Sequence, residues 1–225
     1  MAFVMNVKRI IFWASFLVIL ALIVWGLAVA MNRPQRAGGA VAGSLAPAPV
    51  SAEDHVQGSP DALVTLIEYS DFQCPACQSY YWSISKLLQE EPATTLRFVY
   101  RNFPLPQHAN AIPSSMAVEA AGLQGKYWPM FDLIFQNHTD WTELADATPV
   151  FIGYAKEIGL DVAKFTLDLK NQALADHVQT DIESGRTAGI NSTPTFFING
   201  KAITNPKTYA DFKKLIDEAA SQSAR

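Results

Sequence analysis

The clearest potential for chemistry lies in two cysteines separated by two residues, which are the only cysteines of the chain. The segment Cys74-Pro75-Ala76-Cys77 follows a strand-like run and begins a stretch with helical periodicity. Backbone N–H groups at a helix N-terminus favour an anion and lower the pKa of a nearby thiol. We therefore expect Cys74 to be a thiolate nucleophile, and Cys77, on the inward stripe of the helix, to be shielded. Such a pair suits thiol–disulfide exchange, in which one sulfur forms a mixed disulfide and the other resolves it.

Two other interpretations of the cysteine pair stay open at this point. A disulfide between the two could be purely structural, although so short a loop constrains little of the unfolded chain. A zinc site would need further ligands, and His55, His108, His138 and His177 lack the paired spacing of a zinc finger. We predict no metal and no organic cofactor, so that the redox-active disulfide between the cysteines is the only redox group.

The residues around the motif predict a strand, a helix and a second strand. Residues 63–69 form a β-branched and almost continuously apolar run, typical of a strand covered on both faces. Helical spacing of apolar residues begins at Pro75, which suits a first turn because that turn needs no backbone donor, and Pro92 closes the segment. Residues 96–100 are the next strand. This succession predicts a right-handed βαβ unit with the cysteines at its first junction.

The rest of the chain predicts a long helical region, a hairpin and a last helix. Helical patterns extend over about 106–188, with Thr148 and Asp161 as N-caps and Gly159 as a helix stop. Strands at 195–198 and 201–203 flank the turn signal Asn199-Gly200.

The N-terminal residues predict a location outside the cytoplasm. Residues 10–31 are uncharged and apolar, and a membrane-spanning helix needs about 20 such residues. Basic residues within 1–9 favour a cytoplasmic N-terminus, followed by a transmembrane anchor. A cleavable signal peptide with cleavage at Ala30 is the alternative. The Ala-, Gly- and Pro-rich residues 32–53 predict a flexible linker to a domain at 54–225, on the periplasmic or cell-surface side of the membrane.

The composition excludes some classes of protein. Hydrophobic residues make up 49% of the chain, which supplies a sizeable core and excludes wholesale disorder. Four of the 17 basic residues and none of the 21 acidic residues lie within the first 52 positions. The predicted domain is therefore acidic, which argues against a nucleic-acid partner.

Three segments together resemble the DsbA-like branch of the thioredoxin superfamily, and in particular its membrane-anchored bacterial thiol-disulfide oxidoreductases. The segments are EYSDFQCPAC at 68–77, YRNFPL at 100–105 and GINSTPTFFING at 189–200. The resemblance covers roughly 54–222. It implies an α/β fold in which a helical insertion interrupts a thioredoxin domain. It also implies an enzyme whose substrates are exported proteins with cysteines, regenerated by a membrane protein that passes electrons to quinone.

The resemblance assigns roles to further residues. Pro194 matches the cis-proline that faces the cysteines in this family, with an ordinary turn proline as the alternative. Thr193 would then offer backbone groups to an extended substrate segment. Glu68 matches a buried acid beneath the active site, which would accept or relay the proton of Cys77. A solvated carboxylate at the end of a strand is the alternative for Glu68.

The sequence departs from the family at Ala76. Strongly oxidising relatives have a histidine there, whose charge would stabilise the thiolate, so we expect a less extreme potential. Pro75, Ala76, Thr193 and Phe72 are the expected substrate-binding residues, although core packing is the alternative for Phe72. Arg101 and His108 are expected to make structural hydrogen bonds or to lie in solvent.

These patterns favour an enzyme that donates disulfides to exported proteins. A membrane-tethered thiol reductase, for example in cytochrome maturation, would use the same residues in the opposite direction. A peptide-binding or chaperone module with a structural disulfide is the alternative that involves no catalysis.

Overall fold

A computed structural model describes Trp13 and residues 46–224. The predicted cytoplasmic segment at 1–9, the predicted anchor at 10–31 apart from Trp13, and the linker up to residue 45 lie outside the described residues. Within the described part, no helix combines the length and the apolar character that crossing a membrane requires.

A five-stranded mixed sheet forms the centre of the fold. Its strands are β1 (His55–Gln57), β2 (Val64–Ser70), β3 (Leu96–Asn102), β4 (Thr195–Ile198) and β5 (Lys201–Ala202). The spatial order is β1-β3-β2-β4-β5, in which β2 and β3 are parallel and the other neighbours are antiparallel. Helix α1 (Pro75–Glu90) connects the two parallel strands, so the predicted βαβ unit is confirmed.

Strand β2 is the central strand and leads directly to the cysteines. It pairs with β3 on one side and with β4 on the other, and every side chain except that of Thr65 is buried. Its near-continuous apolar sequence follows from this cover, because helices on both faces leave no solvated side.

A group of helices lies between β3 and β4 in the sequence. Its members are α2 (Ala111–Gly122), α3 (Tyr127–Gln136), a short 3-10 helix (His138–Asp140), α4 (Thr148–Glu157), α5 (Val162–Asp168) and α6 (Gln172–Thr187). Helix α7 (Tyr209–Ser223) follows the β4–β5 hairpin. The predicted fold class, α/β with a thioredoxin fold and added helices, is confirmed for the described residues.

Of the two expected helix N-caps, one is confirmed and the other is wrong. Asp161 caps α5, because its carboxylate accepts a hydrogen bond of 2.9 Å from the backbone N–H of Lys164. The expectation that Thr148 is an N-cap is wrong, since the cap of α4 is Ala147 and Thr148 is already helical. The physical reason is that the Asp146 carboxylate accepts the Thr148 N–H at 2.9 Å, which satisfies that donor from outside the helix.

Candidate active site

Cys74 and Cys77 lie at the start of α1, where the chain turns from the end of β2 into the helix. Cys74 is the N-cap, with an extended backbone at φ −75° and ψ 122°, and Pro75 opens the first turn. The Cys74 side chain is at the surface edge of the core, 7% exposed, whereas Cys77 is fully buried. The predicted division into an outer and an inner thiol is therefore confirmed.

The segment before β4 lies against the outer cysteine. The Cys74 sulfur lies 3.6 Å from the Thr193 carbonyl oxygen, and it donates a weak hydrogen bond to that oxygen only while Cys74 is protonated. The Thr193–Pro194 peptide bond is cis, as the family resemblance implies, and Pro194 is buried. The Thr193 hydroxyl is buried and has no hydrogen-bond partner within the described residues, so it is available to a thiolate at Cys74.

The pKa values of the two thiols are shifted in opposite directions. The pKa of Cys74 falls to about 5, chiefly because the Cys77 thiol donates a hydrogen bond to it. Partial burial opposes this shift, while the backbone N–H groups of Cys77 and Ala76 and the side chain of Thr193 support it. Burial raises the pKa of Cys77 well above its usual range, and the hydrogen bond to Cys74 adds to that increase. At neutral pH the outer sulfur is therefore a thiolate and the inner one a thiol.

Glu68 is a buried carboxyl group next to the cysteines. Its position in β2 pairs with Tyr100 of β3 and with Phe196 of β4, which leaves it 2% exposed. The Ser70 hydroxyl donates a hydrogen bond of 2.7 Å to its Oε1 atom. Burial raises the pKa of Glu68 to about 8, and the negative charge at Cys74 adds to the shift. The alternative of a solvated carboxylate at the strand end is thereby excluded.

A cavity connects this buried acid with the side of the molecule. It has a volume of about 250 Å³, and Glu68, Gln57, Tyr81 and Asp132 are among the residues that line it. A cavity of this size with several polar groups accommodates ordered water. Such water gives the Glu68 carboxyl a route for exchanging its proton with solvent.

The expected substrate-binding residues divide into two groups. Pro75 and Ala76 are exposed, and Thr193 is half-buried beside Cys74, so these three surround the outer sulfur. Phe72 is fully buried, and its expected role in binding substrate is wrong. Its ring packs against the rings of Tyr100, Phe131 and Phe135, because the turn after β2 points it into the core.

Asp71 fixes the loop that precedes the motif. This fully buried carboxylate accepts hydrogen bonds of 2.8 Å from the backbone N–H groups of Gln73 and Leu105. It also accepts one of 2.6 Å from Nδ1 of His108. The interpretation of His108 as a residue with a structural hydrogen bond is confirmed, and its effect is to hold the loop after β3 against the active-site turn.

Arg101 anchors the segment that leads into the domain. Its guanidinium pairs with both carboxylate oxygens of Asp54 at 2.7 and 2.9 Å, and it donates to the carbonyls of Ala48 and Pro49 at 2.9 and 3.1 Å. It also donates to the Tyr69 hydroxyl at 2.8 Å. The structural interpretation of Arg101 is therefore confirmed as well.

His138 is a residue near the site that carries no signal in the sequence. It lies buried in the 3-10 helix of the insertion, close enough to Cys74 for the charge of that thiolate to raise its pKa. Burial lowers the pKa of His138 more strongly, so its net pKa falls below the usual value and the ring is neutral at pH 7. Only the folding of the insertion against the motif brings this imidazole to the cysteines.

Comparison with known families places the chain in one of them. The family model described as thioredoxin matches residues 51–218, which is most of the chain. The solved structure of oxidised BdbD from Bacillus subtilis covers 79% of this chain and 98% of its own, with a TM-score of 0.69 and 22% identity. Alpha-DsbA1 from Wolbachia pipientis covers 78% of this chain and 94% of its own, with a TM-score of 0.69 and 21% identity. These identities establish a shared fold.

Curated relatives with higher identity carry a different name. The Na(+)/H(+) antiporter NhaA of Herminiimonas arsenicoxydans is 38% identical over 156 residues, which are 69% of this chain and 24% of that protein. The Na(+)/H(+) antiporter NhaA 1 of Mycolicibacterium gilvum is 35% identical over 158 residues, again 24% of its length. The chain thus spans about a quarter of the length of the curated relatives it matches. It belongs to the thioredoxin family, and its structural neighbours are DsbA-like thiol-disulfide oxidoreductases.

Proposed function

We propose that the protein is an extracytoplasmic thiol-disulfide oxidoreductase that donates disulfides to exported proteins through Cys74 and Cys77. The observation that carries this proposal is the placement of the two thiols: Cys74 caps α1 beside the cis Thr193–Pro194 bond, whereas Cys77 is fully buried, and this placement shifts their pKa values in opposite directions. A structural disulfide has no use for such an asymmetry, whereas an exchange reaction depends on it.

Donation begins with the oxidised enzyme, in which the two cysteines form a disulfide. A substrate thiolate attacks the Cys74 sulfur, the bond to Cys77 breaks, and Cys77 leaves as a thiolate that takes up a proton. A second substrate thiolate then attacks the substrate sulfur of the mixed disulfide, and Cys74 leaves as a thiolate. The substrate gains one disulfide, and the enzyme keeps both electrons as a dithiol. The structure contains the cysteines in this reduced, unbridged form.

The low pKa of Cys74 favours this direction. A thiol with a low pKa is a good leaving group, so the second step, which releases Cys74, is accelerated. The same stabilisation of the thiolate lowers the free energy of the reduced enzyme, which makes the oxidised enzyme a stronger oxidant. A reductase needs the opposite bias, namely a reduced form that gives up its electrons readily.

Glu68 supplies and accepts the proton of the inner cysteine in this scheme. The Cys77 thiolate released in the first step is buried and strongly basic, so it needs a nearby acid. A carboxyl group with a pKa of about 8 is mostly protonated at pH 7 and can donate that proton. When the dithiol is reoxidised, the carboxylate takes the proton back, and the cavity lined by Glu68 links it to solvent.

The surroundings of Cys74 support the proposed binding of substrate. The exposed Pro75 and Ala76 and the half-buried Thr193 form the surface on which an extended substrate segment would lie, paired with the Thr193 backbone. A membrane protein that passes electrons to quinone would reoxidise the dithiol, with no further cofactor in the enzyme. The apolar residues 10–31 would anchor the domain to the extracytoplasmic face of the membrane.

Activity assays on the purified full chain separate this function from its alternatives. We expect the oxidised chain to oxidise a peptide dithiol rapidly, Cys74→Ser to lose that activity, and Cys77→Ser to accumulate a mixed disulfide through Cys74. Full activity in Cys74→Ser would contradict the enzyme and favour a chaperone module. Rapid insulin reduction by the reduced chain, without peptide oxidation by the oxidised chain, would contradict the direction.

A further inference from the structure

A cluster of metal-ligating side chains lies outside the cysteine site. His55 comes from β1, Glu119 from α2 and His177 from α6, and their ligand atoms all lie within 4.8 Å of one another. Within residues 46–224 this is the one group of three such side chains with the spacing of a metal site, and it includes neither cysteine. The three residues are far apart in the sequence and meet only in the folded chain.

The distances within the cluster fit a tetrahedral ion. Nε2 of His55 lies 2.8 Å from one carboxylate oxygen of Glu119, and Nε2 of His177 lies 3.7 Å from the other. Two ligands that are each about 2.0–2.1 Å from a tetrahedral zinc ion are about 3.3 Å apart. The two observed distances, each to a different oxygen of Glu119, lie on either side of this value, and no two ligand atoms are more than 4.8 Å apart, so side-chain adjustment can bring the three groups to one ion.

Neighbouring groups hold the ligands in place. Asn102 donates its side-chain N–H to Glu119 at 3.0 Å and to Asp181 at 3.1 Å, and its backbone N–H to Asp181 at 2.8 Å. The Tyr127 ring stacks on His55 with 3.5 Å between ring centroids and an interplanar angle of 15°. Hydrogen bonds and packing that orient the ligands in this way are what a metal site requires beyond the ligands themselves.

The charge of the cluster favours a cation. Glu119 and Asp181 are both buried, and in the described part of the chain neither has a lysine or arginine nitrogen within salt-bridge distance. In the described part of the chain the partners of these two carboxyl groups are the imidazoles of His55 and His177 and the N–H groups of Asn102, so the cluster contains no fixed positive charge. A divalent cation supplies that charge.

Solvent reaches the cluster through a surface cavity. This cavity has a volume of about 160 Å³, and His177 and Asp181 are among its lining residues. Arg101 also borders it, but its positive charge is paired with Asp54. The cavity therefore opens on the His177 side of the cluster, which is the side from which an ion would approach.

We propose that His55, Glu119 and His177 bind a divalent transition-metal ion of the Zn²⁺ type, with water in the remaining position. Two imidazoles and one carboxylate suit this class of ion, whereas Ca²⁺ and Mg²⁺ prefer sites made of oxygen ligands. The bound ion would fasten the short strand β1 to two helices of the insertion. It would thus stabilise the domain without entering the reaction at the cysteines.

Zinc titration of the full chain tests this site. The protein is first stripped of metal, and the cysteines are oxidised to their disulfide so that thiolates cannot compete for the ion. We expect one Zn²⁺ per chain by calorimetry, together with a rise in Tm. His177→Gln should weaken binding by more than about 100-fold, since loss of a ligand exceeds the 10–100-fold effect of outer residues.

His108→Gln is the matched control for His177→Gln. Both histidine side chains are 20% exposed, and both contact a buried carboxylate. We expect the control to bind Zn²⁺ as the unsubstituted chain does. Visible absorption of added Co²⁺ provides a readout that needs no variant, and we expect the spectrum of a tetrahedral complex with nitrogen and oxygen ligands.

Three results would overturn the proposal. The first is the absence of Zn²⁺ binding to the folded, oxidised chain. The second is equal affinity in His177→Gln and His108→Gln, which would place the ion elsewhere. The third is displacement of Zn²⁺ by an equal concentration of Ca²⁺, which would indicate an oxygen-ligand site.

Discussion

Cys77 lies one turn below Cys74 at the start of α1, and hydrogen bonding of its thiol to the Cys74 sulfur is the largest single cause of the low pKa of Cys74. Cys77 therefore has two roles, since it resolves a mixed disulfide and also stabilises the Cys74 thiolate. Because its own pKa is raised by burial, it stays protonated at neutral pH and remains a donor to the thiolate above it. Each thiol therefore keeps the other in the protonation state that exchange requires.

This contact predicts different effects for two substitutions of the inner cysteine. Cys77→Ala removes the donor, so the pKa of Cys74 should rise from about 5 toward its ordinary value near 9.0. Cys77→Ser keeps a hydroxyl donor at the same place and should keep the Cys74 pKa low. The measurement is the rate of Cys74 alkylation by iodoacetamide as a function of pH. Equal pKa values in the two variants would show that the backbone N–H groups, and not Cys77, set the value.

The low pKa of Cys74 also predicts how stability depends on pH. A thiol whose pKa is 9.0 unfolded and about 5 folded stabilises the folded reduced chain at high pH, and this contribution is lost as the pH falls through 5. Between pH 5 and pH 7 the free energy of unfolding of the reduced chain should therefore increase by about 2 kcal/mol relative to the oxidised chain. Urea denaturation of both redox forms measures this difference.

Comparing the two redox forms separates Cys74 from Glu68. The raised pKa of Glu68 stabilises the folded chain below pH 4.5, and this contribution is lost as the pH rises through about 8. Glu68 is present in both forms, so its effect largely cancels in the difference. Cys74→Ser has no thiol at this position and is the control. Its free energy of unfolding, compared with that of the oxidised unsubstituted chain, should show no such increase between pH 5 and pH 7. A pH-independent difference in the unsubstituted chain would mean that Cys74 is not a thiolate at pH 7.

Replacement of the buried acid tests the proton route. Glu68→Gln keeps the size of the side chain but removes its acid–base chemistry, so attack of Cys77 on a mixed disulfide at Cys74 should slow by about 100-fold at pH 7. The rate should also lose its dependence on pH near 8. The assay follows release of glutathione from a preformed mixed disulfide. Glu90→Gln, at the exposed end of α1, is the control and should behave as the unsubstituted chain.

An unchanged rate in Glu68→Gln would contradict this role. In that case Cys77 would exchange its proton by a route that does not involve Glu68. The pH profile distinguishes the predicted loss of the proton route from damage to the fold, because a misfolded variant would lose rate at every pH.

The placement of Phe72 predicts a loss of stability rather than of substrate affinity. Its ring lies with centroids 4.9, 5.5 and 5.0 Å from those of Tyr100, Phe131 and Phe135. Phe72→Ala should reduce the free energy of unfolding by about 3–5 kcal/mol because a cavity remains. Trp82→Ala, at a side chain that is 52% exposed, should change it by less than about 0.5 kcal/mol. Urea unfolding measures both changes in stability. A raised KM with unchanged stability in Phe72→Ala would contradict this prediction and would indicate that Phe72 contacts substrate.

Local patterns in the sequence were sufficient for the centre of the site. Helical periodicity places Cys77 on the buried stripe of α1, and the break from strand to helix places Cys74 at its N-terminus. The cap at Asp161 could be predicted because it depends on one side chain and one N–H three residues later. The N-cap expected at Thr148 is displaced because Asp146, two residues earlier, accepts the backbone N–H of Thr148, and the helix has already begun at that residue.

Residues that depend on contacts distant in sequence could not be predicted. Strand β1 has only three residues, too few for a pattern of apolar and polar side chains to predict a strand, so it is defined by its pairing with β3. His138 reaches the cysteines only through the packing of the insertion. The side of the turn to which Phe72 points depends on the aromatic residues of α3, more than 50 positions later in the chain.

The reduction potential of the full chain in glutathione buffers tests most directly whether the enzyme donates disulfides. Thioredoxin has a nucleophilic cysteine with a pKa near 7 and a potential of about −270 mV. A pKa of about 5 at Cys74 stabilises the reduced form by a further factor of about 50 at pH 7, or about 50 mV. We therefore expect a potential more positive than about −220 mV, and below the roughly −120 mV of the strongest oxidants because Ala76 replaces their histidine. A value of about −270 mV or lower would contradict a disulfide donor.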